Sequence, residues 1–204
     1  IIDTQKDAAG RKKLEKALAD MLASGISRSA QDYVCRRLRT IGTGQSVKAL
    51  AALLCDEKSS DIARFALGDI CCCPTALDAI REALPKVSTK LRPGIIGSLG
   101  THRDKKSVAA LTKLMGDKDV LTARAAAHSL GLIGTPDAAK ALCGCAGKAP
   151  EAIKTSVADA GLICAEQLLA DGDKAAAIAL YKGLKGDGMP KHVKVAAMKG
   201  MLTA

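Results

Sequence analysis

Aromatic side chains are nearly absent. Tyr33, Phe65 and Tyr181 are the only three in 204 residues, and there is no tryptophan. An interior built without rings must be filled by Ala, Leu, Ile and Val, and side chains of that size suit closely stacked helices. The same scarcity weighs against a single-strand nucleic-acid platform, where successive bases stack on aromatic faces. No apolar run reaches the roughly 18 residues that a membrane helix needs. Histidine is scarce too: His102, His128 and His192 stand isolated, with no CxxCH haem motif around them. Neither a GxSxG nucleophile turn nor a phosphate-cradling glycine loop occurs. These absences leave no catalytic residue, cofactor or metal to assign. The chain opens at Ile1 with no signal-type apolar region, which reads as a processed product or a piece of something longer.

Apolar residues make up 48% of the sequence, enough to bury a substantial core. The formal charge is +10, from 31 basic and 21 acidic residues. That balance attracts acidic surfaces and nucleic acid non-specifically, but the basic residues are spread along the whole length. Eight cysteines include the run Cys71-Cys72-Cys73, which makes no orderly disulfide framework. Reduced thiols acting as small apolar side chains point to a cytoplasmic, reducing compartment, with the cell envelope as the alternative.

The sequence repeats itself. Residues 106–135 read as two antiparallel helices around a tight turn at 116–119. Ser107, Val108, Leu111, Leu114, Met115 and Asp117 reproduce Ser46, Val47, Leu50, Leu53, Leu54 and Asp56 at a constant offset. Apolar steps of three and one place these side chains on one helix face. A second helix recurs with its own ending: Ile41-Gly42-Thr43, Leu99-Gly100-Thr101 and Ile133-Gly134-Thr135. Glycine there predicts a left-handed helix cap. In the second unit Cys73 takes the column of Ile41, Leu99 and Ile133. One turn earlier the column is Leu38, Ile70, Ile96 and Leu130. Two helices per unit with variable spacing predict an all-α fold, a right-handed α-α superhelix of about six helix pairs.

The pattern Asp119-x4-Arg124-x2-Ala127-x2-Leu130-Gly131-x-Ile133-Gly134 resembles the second-helix signature of HEAT repeats, in the short bacterial form called PBS-lyase HEAT-like. The preceding unit keeps Ala63-Arg64-x-Ala66-Leu67 and lacks the glycine. The resemblance implies a scaffold with a concave face lined by second helices, and it implies no reaction. The chain departs from the HEAT-like DNA glycosylases, which bring an aromatic-lined site, and it has no His–Glu pair of the di-iron HEAT hydroxylase kind.

Taken in order, residues 1–10 form a polar lead and 11–204 a single repeat domain, with 171–204 similar to a TPR-like pair. First helices are expected at 11–23, 46–55, 75–84, 136–146 and 174–184. Second helices are expected at 29–40, 60–70, 88–99, 150–170 and 190–202. Leu14, Leu18, Met21 and Leu22 form the first apolar stripe. Tyr33, Val34, Leu38 and Ile41 point inward from the next helix, with Arg36, Arg37 and Arg39 outward. Pro93 predicts a kink or a late start in the helix around it.

Candidate functional residues come from this register. Arg64, Lys90 and Arg124 share a column, with Asp32 in the first unit, and three bases in register would read an acidic partner. The resemblance implies another use, since a second-helix arginine in HEAT-like units bonds to the neighbouring repeat. Arg36 joins the outward set, and His102 with Arg103 forms a basic turn that a phosphate could touch. Cys71, Cys72 and Cys73 could share no ion with Cys143 and Cys145, because the two groups lie repeats apart on a stack advancing about 10 Å per helix layer. Cys35, Cys73 and Cys145 fall in core columns, which leaves Cys71, Cys72 and Cys143 as candidate exposed thiols. The resulting expectation is a non-catalytic scaffold for a protein partner. Two rival readings are an accessory domain of a larger enzyme or bilin-lyase-like cofactor-handling protein, and a basic nucleic-acid-binding solenoid whose affinity falls steeply with salt.

Overall fold

The computed structural model describes residues 7–70, 73–186 and 188–204. Among them are twelve α-helices and one short 3-10 turn, and consecutive helices pack in pairs along the chain. This is the all-α solenoid that the repeat predicts. The expected exposure of Cys71 and Cys72 lies outside the described residues. The chain divides into two compact units, one running to Ser98 and the other Leu99–Ala204.

The first unit holds α1 (Ala8–Ala23), α2 (Arg28–Ile41), α3 (Gly44–Ala51), α4 (Ser60–Asp69), α5 (Pro74–Ala83) and most of α6 (Arg92–Thr101). α1, α3 and α5 make one layer, and α2 packs beside α4 in the other. α1 begins three residues ahead of the expected start, because the Asp7 carboxylate accepts a 2.9 Å hydrogen bond from Gly10 N and caps it there. Its buried face is also rotated: Glu15, Leu18, Ala19 and Leu22 are inside, while Met21 is exposed. Glu15 belongs inside because it caps α3. Its Oε1 accepts hydrogen bonds from Thr43 N at 2.7 Å and Ser46 Oγ at 2.8 Å. A carboxylate at a helix N-terminus meets unpaired N–H groups and the positive end of the dipole. Pro74 opens α5 at its first position, where a missing N–H costs no helix bond. α6 starts late, at Arg92, so Pro93 falls in the first turn, where its missing N–H costs no helix bond.

The second unit continues with α7 (Val108–Leu114), α8 (Val120–Ile133), α9 (Pro136–Ala146), α10 (Glu151–Ala170), α11 (Lys174–Leu184) and α12 (Lys191–Thr203). α7, α9 and α11 form one layer; α8, α10 and α12 form the other. Asp119 caps α8 with a 2.8 Å hydrogen bond accepted from Thr122 N. Thr135 and Asp173 cap α9 and α11 in the same manner. The α8–α10 contact is close because Gly131 has no side chain: a Cβ there would stand 2.7 Å from Ala160 O.

The aligned columns are buried in each unit: Leu38, Ile70 and Ile96 in the first, Leu130 in the second. Ser46, Leu50 and Leu54 are buried as are their counterparts Ser107, Leu111 and Met115. The recurring glycine is a different matter. Only Gly134 adopts the left-handed cap, at φ 62. Gly42 is extended, and Gly100 lies inside α6. Both are needed for space instead: a Cβ on Gly42 would meet the Ile70 side chain at 2.6 Å, and one on Gly100 would meet Ser129 Cα at 2.7 Å. The left-handed residue after α6 is Arg103, at φ 48.

Candidate functional site

The second helices carry three of the six candidate side chains, Arg36, Arg64 and Arg124, and two of these tie one repeat to the next. Arg64 on α4 donates from Nη1 to Gly94 O at 3.1 Å and to Ser98 Oγ at 3.3 Å, both on α6. Gly94 is required for that approach, since a Cβ would stand 2.7 Å from Arg64 Nη2. Burial pulls the Arg64 guanidinium below its usual pKa, and its Nε has no hydrogen-bond partner. Arg124 on α8 does the same two repeats later, donating from Nε and Nη2 to Ala152 O in the first turn of α10, at 3.0 and 2.7 Å. The column pairing Arg64 with Arg124 therefore exists, and both members bond to a backbone carbonyl of the next second helix.

Lys90 stands apart from that pair. It lies in the turn before α6, off the helix, and bonds to Glu57 Oε2 at 2.8 Å. Arg36 is exposed and bonds to Asp32 at 2.7 Å, one helical turn away, which lowers the Asp32 pKa. Arg103 donates from Nε to Ile133 O at 3.2 Å at the end of α8, and its guanidinium pairs with both carboxylate oxygens of Asp171 beyond α10. That pairing holds Asp171 below the usual carboxylate range. His102 is half-buried in the same turn. Arg28 and Arg39 of α2 extend the pattern: Arg28 reaches Lys58 O and Asp61, and Arg39 reaches Asp69.

The aromatic residues give the feature that sequence reasoning missed. Tyr33 is 56% exposed and does not point inward as expected. Phe65 on α4 is 46% exposed. Each ring carries an arginine: Arg37 lies over Tyr33 with its guanidinium carbon 4.8 Å from the centroid, and Arg39 lies over Phe65 at 4.1 Å. Two of the chain's three aromatic side chains are thus at the surface of adjacent second helices in the first unit. Cation–π contact holds the arginines and rings in place without covering them. The spacing of 32 residues, about one repeat, was the available signal, but helical periodicity places Tyr33 beside the buried stripe, which hid it.

The thiols divide by burial. Cys35 and Cys164 are buried, which pushes them up to about 11 and about 12. Cys143 is exposed, as expected. Cys73 and Cys145 are only half-buried, against the core columns expected for them. Cys73 is displaced because it is the residue preceding Pro74 and takes the N-cap of α5. Among the described residues no group of three His, Cys, Asp or Glu side chains could hold a metal ion. Nor is any helix among them long and apolar enough to cross a membrane. Two shallow apolar grooves of about 210 Å3 each lie in the second unit, one between α9 and α11 beside Cys143, the other between the ends of α7 and α9.

Comparison with known proteins agrees with this arrangement. The family model for HEAT repeats matches residues 77–160. No curated protein matches the chain. A designed armadillo repeat protein is similar over 92% of this chain and 98% of its own, at 16% identity and a TM-score of 0.51. Another designed armadillo repeat protein, in complex with the peptide (KR)4, is similar over 96% of this chain and 95% of its own, at 16% identity and a TM-score of 0.50.

Proposed function

We propose that this HEAT-like α-solenoid is a non-catalytic scaffold that takes a protein partner on the exposed side of α2 and α4. The observation that carries the reading is the placement of Tyr33 and Phe65. A chain that spends almost no aromatic residues leaves two of its three at the surface, in register, each held by an arginine. Aromatic and arginine side chains dominate binding energy at protein interfaces because they combine large contact area with little conformational freedom to lose. The fold supports the same reading, since a designed armadillo protein of similar fold is in complex with a peptide. Arg36 belongs to this surface, on α2 beside Arg37. Arg64, Arg103 and Arg124 are assigned to holding repeats together, because their donors are already directed at neighbouring repeats. Lys90, paired with Glu57, and His102 sit in turns and are assigned no more than a rim contact.

The test compares capture of proteins by the immobilised chain and by a Tyr33→Ala/Phe65→Ala variant, with Arg124→Ala as a control outside the surface. We expect the aromatic variant to keep the wild-type melting temperature and to lose a specific partner by a factor of about 30 or more, the scale of one strong interface anchor. Capture unchanged by the aromatic pair removes the reading. Recovery of nucleic acid alone, released by moderate salt, replaces it with the polyanion alternative.

A further inference from the structure

α12 presents a second surface, with a different chemistry. Its inner side belongs to the second unit: Val193 and Ala197 are buried, and Gly200 sits against the Tyr181 ring. Its outer side is apolar and uncovered. Val195, Met198 and Leu202 are 59%, 47% and 89% exposed. With Lys191 they fall within about 60° of the helix circumference, and Lys194 and Lys199 stand about 40° beyond on either flank. The helix carries no acidic residue, and from Lys174 to the end of the chain lysines outnumber acids six to one, with no arginine. On the neighbouring α10, the Asp159 carboxylate is already taken by His192, at 3.0 Å.

This combination selects its occupant. A second copy of the chain docking through the same stripe would set lysines against lysines. A protein partner is favoured by a concave pocket for an anchor side chain and by arginine forks for carboxylates, and a convex lysine-flanked ridge offers neither. An anionic bilayer asks for what is present: a narrow apolar ridge to enter the headgroup layer, and long flexible cations that reach phosphates while their stems lie along the acyl boundary. We propose that α12 docks in the plane of an anionic lipid surface, with Val195, Met198 and Leu202 inserted and Lys191, Lys194 and Lys199 on the headgroup phosphates. The inference rests on the second unit alone and does not depend on the partner surface of α2 and α4.

The experiment is co-sedimentation of the full chain with phosphatidylcholine vesicles and with mixed phosphatidylcholine–phosphatidylglycerol vesicles. Wild-type chain should pellet with the mixed vesicles only. Val195→Ser/Met198→Ser/Leu202→Ser keeps every charge and should lose binding at least about tenfold, as removal of inserted apolar area requires. Lys191→Glu/Lys194→Glu/Lys199→Glu should lose more, at roughly fivefold per lysine removed from an anionic surface. Lys12→Glu/Lys13→Glu/Lys16→Glu on α1, matched in charge, should bind nearly as wild type. Because the chain lacks tryptophan, Met198→Trp supplies a single reporter, whose emission should move to shorter wavelength with mixed vesicles and stay unmoved with neutral ones. Binding that survives the serine variant, or that falls equally with the α1 variant, overturns the proposal in favour of adsorption by net charge. Dimers that dissociate on the serine substitutions overturn it in favour of self-association. No binding to the mixed vesicles overturns it outright.

Discussion

At the scale of single residues, side chains that look functional in the sequence turn out to be committed to neighbours. Glu15 is an acid on the buried face of α1, and it is buried because Thr43 and Ser46 supply its hydrogen bonds. Removing it strands the donors at the start of α3. Glu15→Ala should therefore cost about 2–3 kcal/mol in urea unfolding, the range for hydrogen bonds to a buried charged group, and Glu15→Gln should recover part of that loss. A neutral Glu15→Ala would mean that water, and not the carboxylate, serves those donors. The arginines follow the same logic. Nothing in the local sequence separates Arg36, exposed with its i−4 aspartate, from Arg64, directed at a carbonyl 30 residues ahead. Both are one arginine on an amphipathic helix until the next repeat is in place.

At the scale of the helix, the recurring glycine shows how one sequence signal serves two physical ends. Gly134 uses its freedom to turn left-handed, whereas Gly100 stays helical and gives α8 room to approach. Two glycines of α6 should then respond in opposite directions to the same substitution. A Cβ on Gly97 meets nothing within 4 Å, so Gly97→Ala should raise stability by about 0.5–1 kcal/mol through helix propensity. Gly100→Ala earns the same propensity but drives a methyl into the backbone and side chain of Ser129, and should lower stability by about 1–3 kcal/mol. Chemical denaturation of the two variants decides it, and a stabilised Gly100→Ala would show that Ser129 can yield space to a methyl group at Gly100. The late start of α6 was readable from Pro93, and the early start of α1 was not, since the Asp7 cap competes with every other short polar residue of the lead.

For the whole molecule, stability is a sum over neighbouring repeats, each of which buries its faces only against the next. Leu130 sits at the centre of the second unit with no exposed surface. Leu130→Asp places an unpaired carboxylate among apolar helices and should cost several kcal/mol, abolishing cooperative melting of that unit as followed by circular dichroism. Wild-type melting of this variant would remove the column alignment on which the repeat register rests. Periodicity by itself determined the helix pairs, the columns of Leu38, Ile70, Ile96 and Leu130, and the Arg64–Arg124 register, because helical burial is written in steps of three and four along the chain. Tertiary packing alone decided which arginines are occupied, which glycines make room and which rings are exposed. Those outcomes depend on what stands about 30 residues away on the adjoining helix, a distance at which local pattern carries no information. The same limit explains why the aromatic pair on α2 and α4 and the lysine-flanked ridge of α12 emerged only in three dimensions: exposure is a property of what a neighbour leaves uncovered.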